Sequence, residues 1–472
     1  MATTVIDHAL LIAGERVETG EWTEVRSPFS GEVVGRVAKG GAAEARRAVD
    51  AAAAALARPL PAHERARLLD TVAGLLAERQ DEAARTISAE AGKPLKAARV
   101  EAQRAVSTFT FAAVEARKLA GEAVPMDASP AGEGKLAFTL RLPIGVVGAI
   151  SPFNFPLNLV AHKVAPALAA GCPVVLKPAS ATPLSALFLA GLEQEAGLPP
   201  GWLNVVSGPS SEIGDVLVGD ERVKLITFTG SGDVGWGLAQ RAPRKRVKLE
   251  LGNATPAIVA ADAPDGTAAK LAANAFSFAG QSCISVQRIF VAASAWDSFV
   301  PAFVEQVEQL VVGDPADEQT DVGPVISEGE RERILGWIGA SKGEVLTGGD
   351  TNEDGLIPPT VIARPAAQDA VQCEEVFGPV VTLTPVSSLD EAIEQANSTR
   401  YGLQAAIFSR DVNTCLGAAR RLEFGGVLVN EAPTFRADQM PYGGVKASGN
   451  TKEGPAWAVR EMTEERLVVI QI

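Results

Sequence analysis

The chain predicts an α/β protein with two parallel-sheet domains and a small separate β element, on three observations. From residue 145 short apolar strands alternate with helices at intervals of about 20 to 30 residues, the spacing of βαβ units. A second alternating region runs from 251 to 430. The motifs of the first region fall at the carboxyl ends of its candidate strands, where open parallel sheets bind ligands. A length of 472 residues leaves room for two or three domains.

Taken in order, residues 10–22 read as a short hairpin about Gly14 and Glu15. Apolar residues at helical spacing (Leu68, Leu69, Val72, Leu75, Leu76) mark helices at 41–58 and 62–92. The second ends at Gly92-Lys93-Pro94, and 94–121 is a further helix. Residues 136–142 alternate like a strand between Pro- and Gly-rich segments, an excursion from the main body. The first region has strands at 145–150, 173–176, 203–206, 224–229 and 247–251, separated by helices at 156–169, 183–195, 211–218 and 234–241. The second has strands at 257–260, 287–292, 380–386, 405–408 and 426–430, with helices at 265–278, 294–312, 328–340, 389–397 and 412–422. Residues 462–472 are strand-like and are expected to pair with 136–142, because both lie outside the two sheets.

Composition narrows the function classes. Hydrophobic residues make up 47%, enough for a large core, and no apolar run approaches the ~20 residues of a membrane span. Residues 1–7 lack a positive end followed by an apolar block, so no signal peptide is expected. A formal charge of −14 argues against a non-specific nucleic-acid binder. The basic run Arg241, Arg244, Lys245, Arg246 and Lys248 is read as a helix end and turn, where cations offset the helix dipole. Cys172, Cys283, Cys373 and Cys415 are far apart with no CxxC, which fits reduced thiols in a cytoplasm. With three scattered histidines, His8, His63 and His162, a metal site has little to be built from. A Cys-His nucleophile pair is disfavoured, with His162 left open.

The chemistry centres on Phe278-Ala279-Gly280-Gln281-Ser282-Cys283-Ile284-Ser285. Small residues surround a cysteine between a predicted helix and a strand, and a thiolate is the strongest nucleophile a side chain offers near neutral pH. Phe228-Thr229-Gly230-Ser231-Gly232-Asp233-Val234-Gly235 follows a strand, opens a helix and fits a phosphate seat. The acid about 20 residues on is Glu250. It suits either an adenosine ribose or a carboxylate opposite Cys283, and spacing leaves both open. Asn154, in the stiff loop Ser151-Pro152-Phe153-Asn154-Phe155-Pro156, is either an oxyanion donor or a turn-closing cap. Lys177, closing the second strand, is either a nucleotide ligand or a surface lysine.

Seven segments in order resemble the aldehyde dehydrogenase superfamily: Ser-Pro-Phe-Asn-Phe-Pro at 151–156, Lys-Pro at 177–178, Phe-Thr-Gly-Ser at 228–231, Leu-Glu-Leu-Gly at 249–252, Gly-Gln-Ser-Cys at 280–283, Glu-Glu-Val-Phe-Gly-Pro at 374–379 and Pro-Tyr-Gly-Gly-Val-Lys-Ala-Ser-Gly at 441–449. The resemblance implies two Rossmann-like domains and a β oligomerisation arm. Residues 1–120 and 142–250 would bind the dinucleotide, 251–430 would carry Cys283, and 121–141 with 455–472 would form the bridging arm of a homodimer or homotetramer. It implies Cys283 as nucleophile, Asn154 with the Cys283 amide as oxyanion hole, Glu250 as general base, and Lys177 on the adenosine ribose among the catalytic-centre residues. Gly230 and Ser231 would lie near the pyrophosphate, Glu375 on the nicotinamide ribose and Phe377 beside it. Ile150, Ser151, Pro152, Phe153, Gly214, Phe228, Val234, Leu251 and Gly252 would complete the NAD or NADP groove. The implied reaction is NAD(P)-dependent oxidation of an aldehyde to a carboxylic acid through a Cys283 thioester, hydrolysed by water that Glu250 activates.

Two departures are informative. The family's common NAD-preferring members carry a glutamate three residues after the lysine. This chain has Ser180, which leaves room for a 2'-phosphate, so NADP is expected to be accepted. In the substrate pocket, expected to involve Phe155, His162, Ser282 and Ile284, Pro433-Thr434-Phe435-Arg436-Ala437-Asp438 resembles the lactaldehyde-dehydrogenase-like branch. Phe435 is expected to wall the pocket. Arg436 or Arg104 is placed to attract an anionic group of the substrate, the alternative for Arg436 being a pair with Asp438 or another acid. The rival readings are a coenzyme A-acylating semialdehyde dehydrogenase and a non-catalytic member. Glu250 favours hydrolysis over the first. Cys283, Glu250 and Asn154 together count against the second.

Overall fold

The computed structural model describes residues 6–472, so most of the opening stretch in which no signal peptide is expected lies outside the described residues. Two seven-stranded sheets organise the chain. The first runs Arg246–Glu250, Val223–Thr229, Val146–Ile150, Val174–Lys177 and Leu203–Val205, all parallel. The hairpin Leu10–Ile12 and Glu15–Val17 extends its edge antiparallel. Strands such as Val174–Lys177 are buried at every position, which is why they read as continuous apolar runs rather than alternating ones.

The helix Asn158–Ala170 is buried at every residue and packs behind the first sheet. Its polar side chains, Asn158, His162 and Lys163, each find a hydrogen-bond partner inside the protein. Gly171, at φ 86°, closes it with a left-handed turn whose N–H returns to the carbonyls of Ala167 and Leu168. This helix positions the Asn154 loop at its amino end.

The second sheet is ordered Glu344–Thr347, Thr360–Ala363, Val380–Val386, Val286–Ala292, Thr255–Val259, Gln404–Phe408 and Gly426–Val429, parallel except for the first strand. Glu344–Thr347 and Thr360–Ala363 lie outside the predicted strands, as do Trp22–Arg26 and Val33–Ala38 of a small N-terminal sheet. The helix predicted at 265–278 spans only Thr267–Ala275. It stops because Phe278, Ala279 and Gly280 take left-handed φ of 52°, 51° and 69°, a conformation that breaks a right-handed helix.

Lys135–Pro143 and Thr463–Gln471 pair antiparallel from Thr463 opposite Pro143 to Gln471 opposite Lys135, the pairing expected of the two outlying segments. Leu136, Leu140, Leu467 and Val469 of this sheet are exposed. The basic run needs one correction: Arg246 lies not in the turn but on the strand that carries Lys248. They tie the strand Thr463–Gln471 and the residues before it to the first sheet, Arg246 donating to the carbonyls of Glu461 and Thr463, and Lys248 pairing with Glu461. All four cysteines are free. Among the described residues no helix is long and apolar enough to cross a membrane.

Candidate active site

Cys283 and Glu250 open onto one cavity of about 410 Å³, lined also by Phe155, Ser282, Ile284, Arg104, Arg436, Tyr442 and Glu453. The loop carrying Cys283 is held from three sides. Gln281 is buried; its amide donates to the carbonyls of Phe278 and Pro324, and its carbonyl oxygen accepts from the Ile326 amide. Gly280 lies so close to the Gly378 carbonyl that no side chain fits, which ties the 280–283 segment to 374–379. Asn154 Nδ2 donates to the Gln281 carbonyl at 2.9 Å. A side-chain amide has two donor hydrogens, so one remains unpaired among the described residues. Behind both loops sits a buried ion pair of Lys93 with Glu101. The Lys93 ammonium lies 3.7 Å from the Phe155 ring centre and 4.6 Å from that of Phe278. Glu101 accepts from the amides of Leu157 and Asn158.

Glu250 ends its strand with neither carboxylate oxygen hydrogen-bonded, though both are buried. Gly443 makes the space, since a Cβ there would lie 2.6 Å from Glu250 Oε1. The segment 441–449 braces this strand: Leu251 donates to the Ser448 carbonyl, and Ser448 Oγ donates to the Gly252 carbonyl. Burial, followed by the neighbouring Glu453, pushes the Glu250 carboxyl well above its ordinary range. Glu453 goes the other way. Burial opposes its charge, but Arg436 at 2.8 Å and Lys163 at 3.6 Å hold it ionised. Two neighbouring carboxyls are thus driven apart, one held as an anion and the other with a raised pKa, a split of the kind that acid–base sites use.

The Cys283 thiol is pushed up to about 12, by burial first, with Glu250 and Glu375 adding to it and Tyr442 and Arg436 opposing. Tyr442 Oη is 2.9 Å from Cys283 Sγ. The Arg436 guanidinium lies 3.8 Å from the centre of the Tyr442 ring.

A second set of residues lines the carboxyl ends of the first sheet and fits a dinucleotide. Ser231 precedes the helix Gly232–Arg241 without a side-chain cap, so the first-turn amides stay open for an anion. Gly235 lets that helix approach the sheet, since a Cβ there would lie 2.6 Å from Leu251. Gly214 and Gly232 face open space. Lys177 closes its strand and bonds only to the Pro178 carbonyl; burial lowers its ammonium to about 8. Glu375 accepts from the Asn253 amide at 2.8 Å, and burial raises its carboxyl to about 7. Phe377 meets Phe153 edge to face at 5.8 Å.

The aldehyde dehydrogenase family profile matches residues 16–468. The chain belongs to the aldehyde dehydrogenase family. It is 42% identical to the 3-sulfolactaldehyde dehydrogenase of Priestia aryabhattai, over 100% of this chain and 99% of that one. It is 39% identical to the lactaldehyde dehydrogenase of Methanocaldococcus jannaschii, over 96% and 99%. The structure of aldehyde dehydrogenase 21 from Physcomitrella patens, in complex with the reaction product succinate, superposes with a TM-score of 0.96 at 39% identity, over 99% of each chain. That of the NADP-dependent glyceraldehyde-3-phosphate dehydrogenase from Bacillus halodurans, complexed with NADP, superposes at 0.95 with 37% identity, over 98% and 99%. As a member of this family the chain is an NAD(P)-dependent aldehyde-oxidising enzyme, and the lactaldehyde-dehydrogenase-like resemblance fits its relatives.

Against that family background the pocket expectations divide. Phe155, Ser282, Ile284, Arg104 and Arg436 line the cavity. His162 does not: it is buried below the wall, 2.9 Å from Asp438, and burial lowers its pKa so that the ring is neutral. Phe435 is 52% exposed and off the wall. Arg436 does pair with an acid, but with Glu453 rather than Asp438, whose partners are Arg104 and His162. Tyr442, Glu453 and Lys163 are not singled out by sequence. Tyr442 has the clearest signal, since it lies within the matching 441–449 segment.

Proposed function

We propose that the chain oxidises a short aldehyde bearing an anionic group to the carboxylic acid, with NADP accepted alongside NAD, through a thioester on Cys283 that Glu250 helps to hydrolyse. The observation that carries this reading is the shared cavity, with a nucleophile on one wall and an unbonded carboxyl on another. Cys283 sulfur, as thiolate, attacks the aldehyde carbon, and the carbonyl becomes an alkoxide. The free Asn154 N–H and the Cys283 amide stabilise that charge; losing one such donor typically costs about 3 kcal/mol. When bound, the nicotinamide dinucleotide accepts the hydride that leaves as the alkoxide collapses. Glu250, as carboxylate, then takes a proton from water as the water adds to the thioester, and sulfur leaves with release of the acid.

The anionic preference is supported by guanidinium donors on the cavity wall, from Arg104, which pairs with Asp438, and Arg436, which pairs with Glu453. Arg436 is buried, and its Nε has no hydrogen-bond partner. Relatives named for 3-sulfolactaldehyde, and a neighbour bound to succinate, favour the same class. Ser180, three residues after Lys177, is exposed and small, which supports NADP acceptance. The exposed apolar residues of the three-stranded sheet support a homodimer or homotetramer, with that sheet as the bridging arm, and the free cysteines support a cytoplasmic setting.

The test is a panel of aldehydes matched in length, with sulfonate, carboxylate or neutral ends, assayed with each cofactor by reduced-nicotinamide absorbance. Anionic members should lead in kcat/KM, and Arg436→Ala should remove most of that lead. Equal rates for neutral and anionic members, or activity on the anionic ones unchanged in Arg436→Ala, would refute the substrate class. NADP turnover under ~1% of that with NAD, about 2.7 kcal/mol, would refute the reading of Ser180.

A further inference from the structure

We infer that Tyr442 is a catalytic residue, its hydroxyl acting as the hydrogen-bond donor that stabilises Cys283 sulfur as a thiolate. The inference deepens the reading of Cys283 as the nucleophile and rests on it. Tyr442 is buried, and among the described residues its hydroxyl has one polar contact, Cys283 Sγ at 2.9 Å.

The protonation states decide which way the bond runs. While sulfur carries its proton, either group can donate. Once that proton has left through the cavity to solvent, sulfur has no hydrogen to give, and only the tyrosine can donate. The bond then becomes charge-assisted, so it favours the ionised state over the neutral one. The phenol stays protonated because burial, and then Cys283 itself, push its own ionisation far up. Arg436, with its guanidinium over the ring, draws electron density from the phenol and makes it a better donor.

The surroundings make such a donor necessary. When ionised, Glu250 and Glu375 oppose a thiolate on Cys283; Arg436 favours it, but Glu453 cancels much of Arg436. Arg104 on the same wall is committed to Asp438. The same hydroxyl serves the last step, where the thioester carbon–sulfur bond breaks and the electron pair returns to sulfur. A stabilised thiolate is also a somewhat weaker nucleophile. Each tenfold gain in thiolate fraction is offset by roughly a threefold loss of intrinsic reactivity, leaving a net gain of about threefold.

The experiment is alkylation of the cofactor-free enzyme by iodoacetamide between pH 7 and 9.5, read by mass spectrometry on the peptide carrying Cys283. Tyr442→Phe keeps the ring and removes the donor. Its rate should fall about threefold or more below wild type across the range. The opposite perturbation uses the fact that the chain has two tyrosines. Fluorotyrosine incorporated into Tyr401→Phe protein labels position 442 alone with a more acidic, stronger donor, and the rate should rise above that of unlabelled Tyr401→Phe. Alkylation of Tyr442→Phe at or above the wild-type rate, or no acceleration by fluorotyrosine, overturns the inference. Because neither cofactor nor aldehyde is present, these results are independent of whether Cys283 carries the acyl group.

Discussion

Replacing Glu250 by glutamine should separate acylation from hydrolysis. The two side chains are nearly the same size, and neither carboxylate oxygen of Glu250 is hydrogen-bonded, so the amide enters the space beside Gly443 without breaking a bond. What is lost is the ability to take a proton from water. General-base catalysis contributes about 10²–10⁴-fold, or about 3 to 5 kcal/mol of barrier, and steady-state turnover should fall by that amount. Formation of the acyl enzyme should persist, so rapid mixing should give a burst of about one reduced nicotinamide per active site before the slow phase. Hydroxylamine attacks a thioester without help from a base, and it should restore turnover to the variant. Stability should move the opposite way. The Glu250 pKa is raised on folding, so its contribution is fully present below the unfolded value of ~4.3 and is lost as pH rises to the raised folded value. The variant should therefore gain stability relative to wild type with rising pH. Wild-type steady-state rate in Glu250→Gln, or a variant with neither burst nor rescue, would refute the assignment.

Three further outcomes are expected. Ser180→Glu should lower kcat/KM with NADP about 10- to 30-fold more than with NAD; like charges ~4 Å apart repel by about 1 to 4 kcal/mol between water and surface dielectric, and the site is exposed. Glu193 is buried, with both oxygens unbonded, in a cavity lined by apolar side chains and Arg65, and burial raises its pKa to about 8. Glu193→Gln should gain thermal stability relative to wild type from pH 5 to 8.5 and hold level above that, because the wild type loses stability only between its unfolded and folded pKa values. Lys93→Ala should cost about 3 to 5 kcal/mol in denaturant unfolding by stranding the Glu101 charge, and Lys93→Ala/Glu101→Gln should recover part of it.

Sequence was most legible where a local rule matched the fold. The helices Glu328–Ala340, Leu389–Asn397 and Val412–Arg421 begin where predicted, and in each a serine or aspartate just before the first residue accepts a backbone N–H of the first turn. The parallel strands announce themselves because they are buried on both faces. Glu344–Thr347 was missed because it is a four-residue, half-exposed edge strand without alternation. The true end of Thr267–Ala275 was hidden because Phe278 and Ala279 are ordinary helix-compatible residues that tertiary contacts hold in a left-handed conformation. At the site, the motifs pointed to Cys283 and Glu250, and the fold puts both on one cavity. The pocket wall comes from segments far apart in the chain, so spacing could not tell that His162 turns to Asp438 while Tyr442 turns to Cys283.

The central claim is that Cys283 sulfur holds the acyl group while Glu250 readies water to release it. The direct measurement is intact-protein and peptide mass spectrometry of Glu250→Gln quenched in acid during the burst with an anionic aldehyde and NADP. The account predicts one added acyl mass, confined to the peptide carrying Cys283 and removed by hydroxylamine. Accumulation of reduced nicotinamide with Cys283 unmodified, or with the acyl group on another residue, would contradict it.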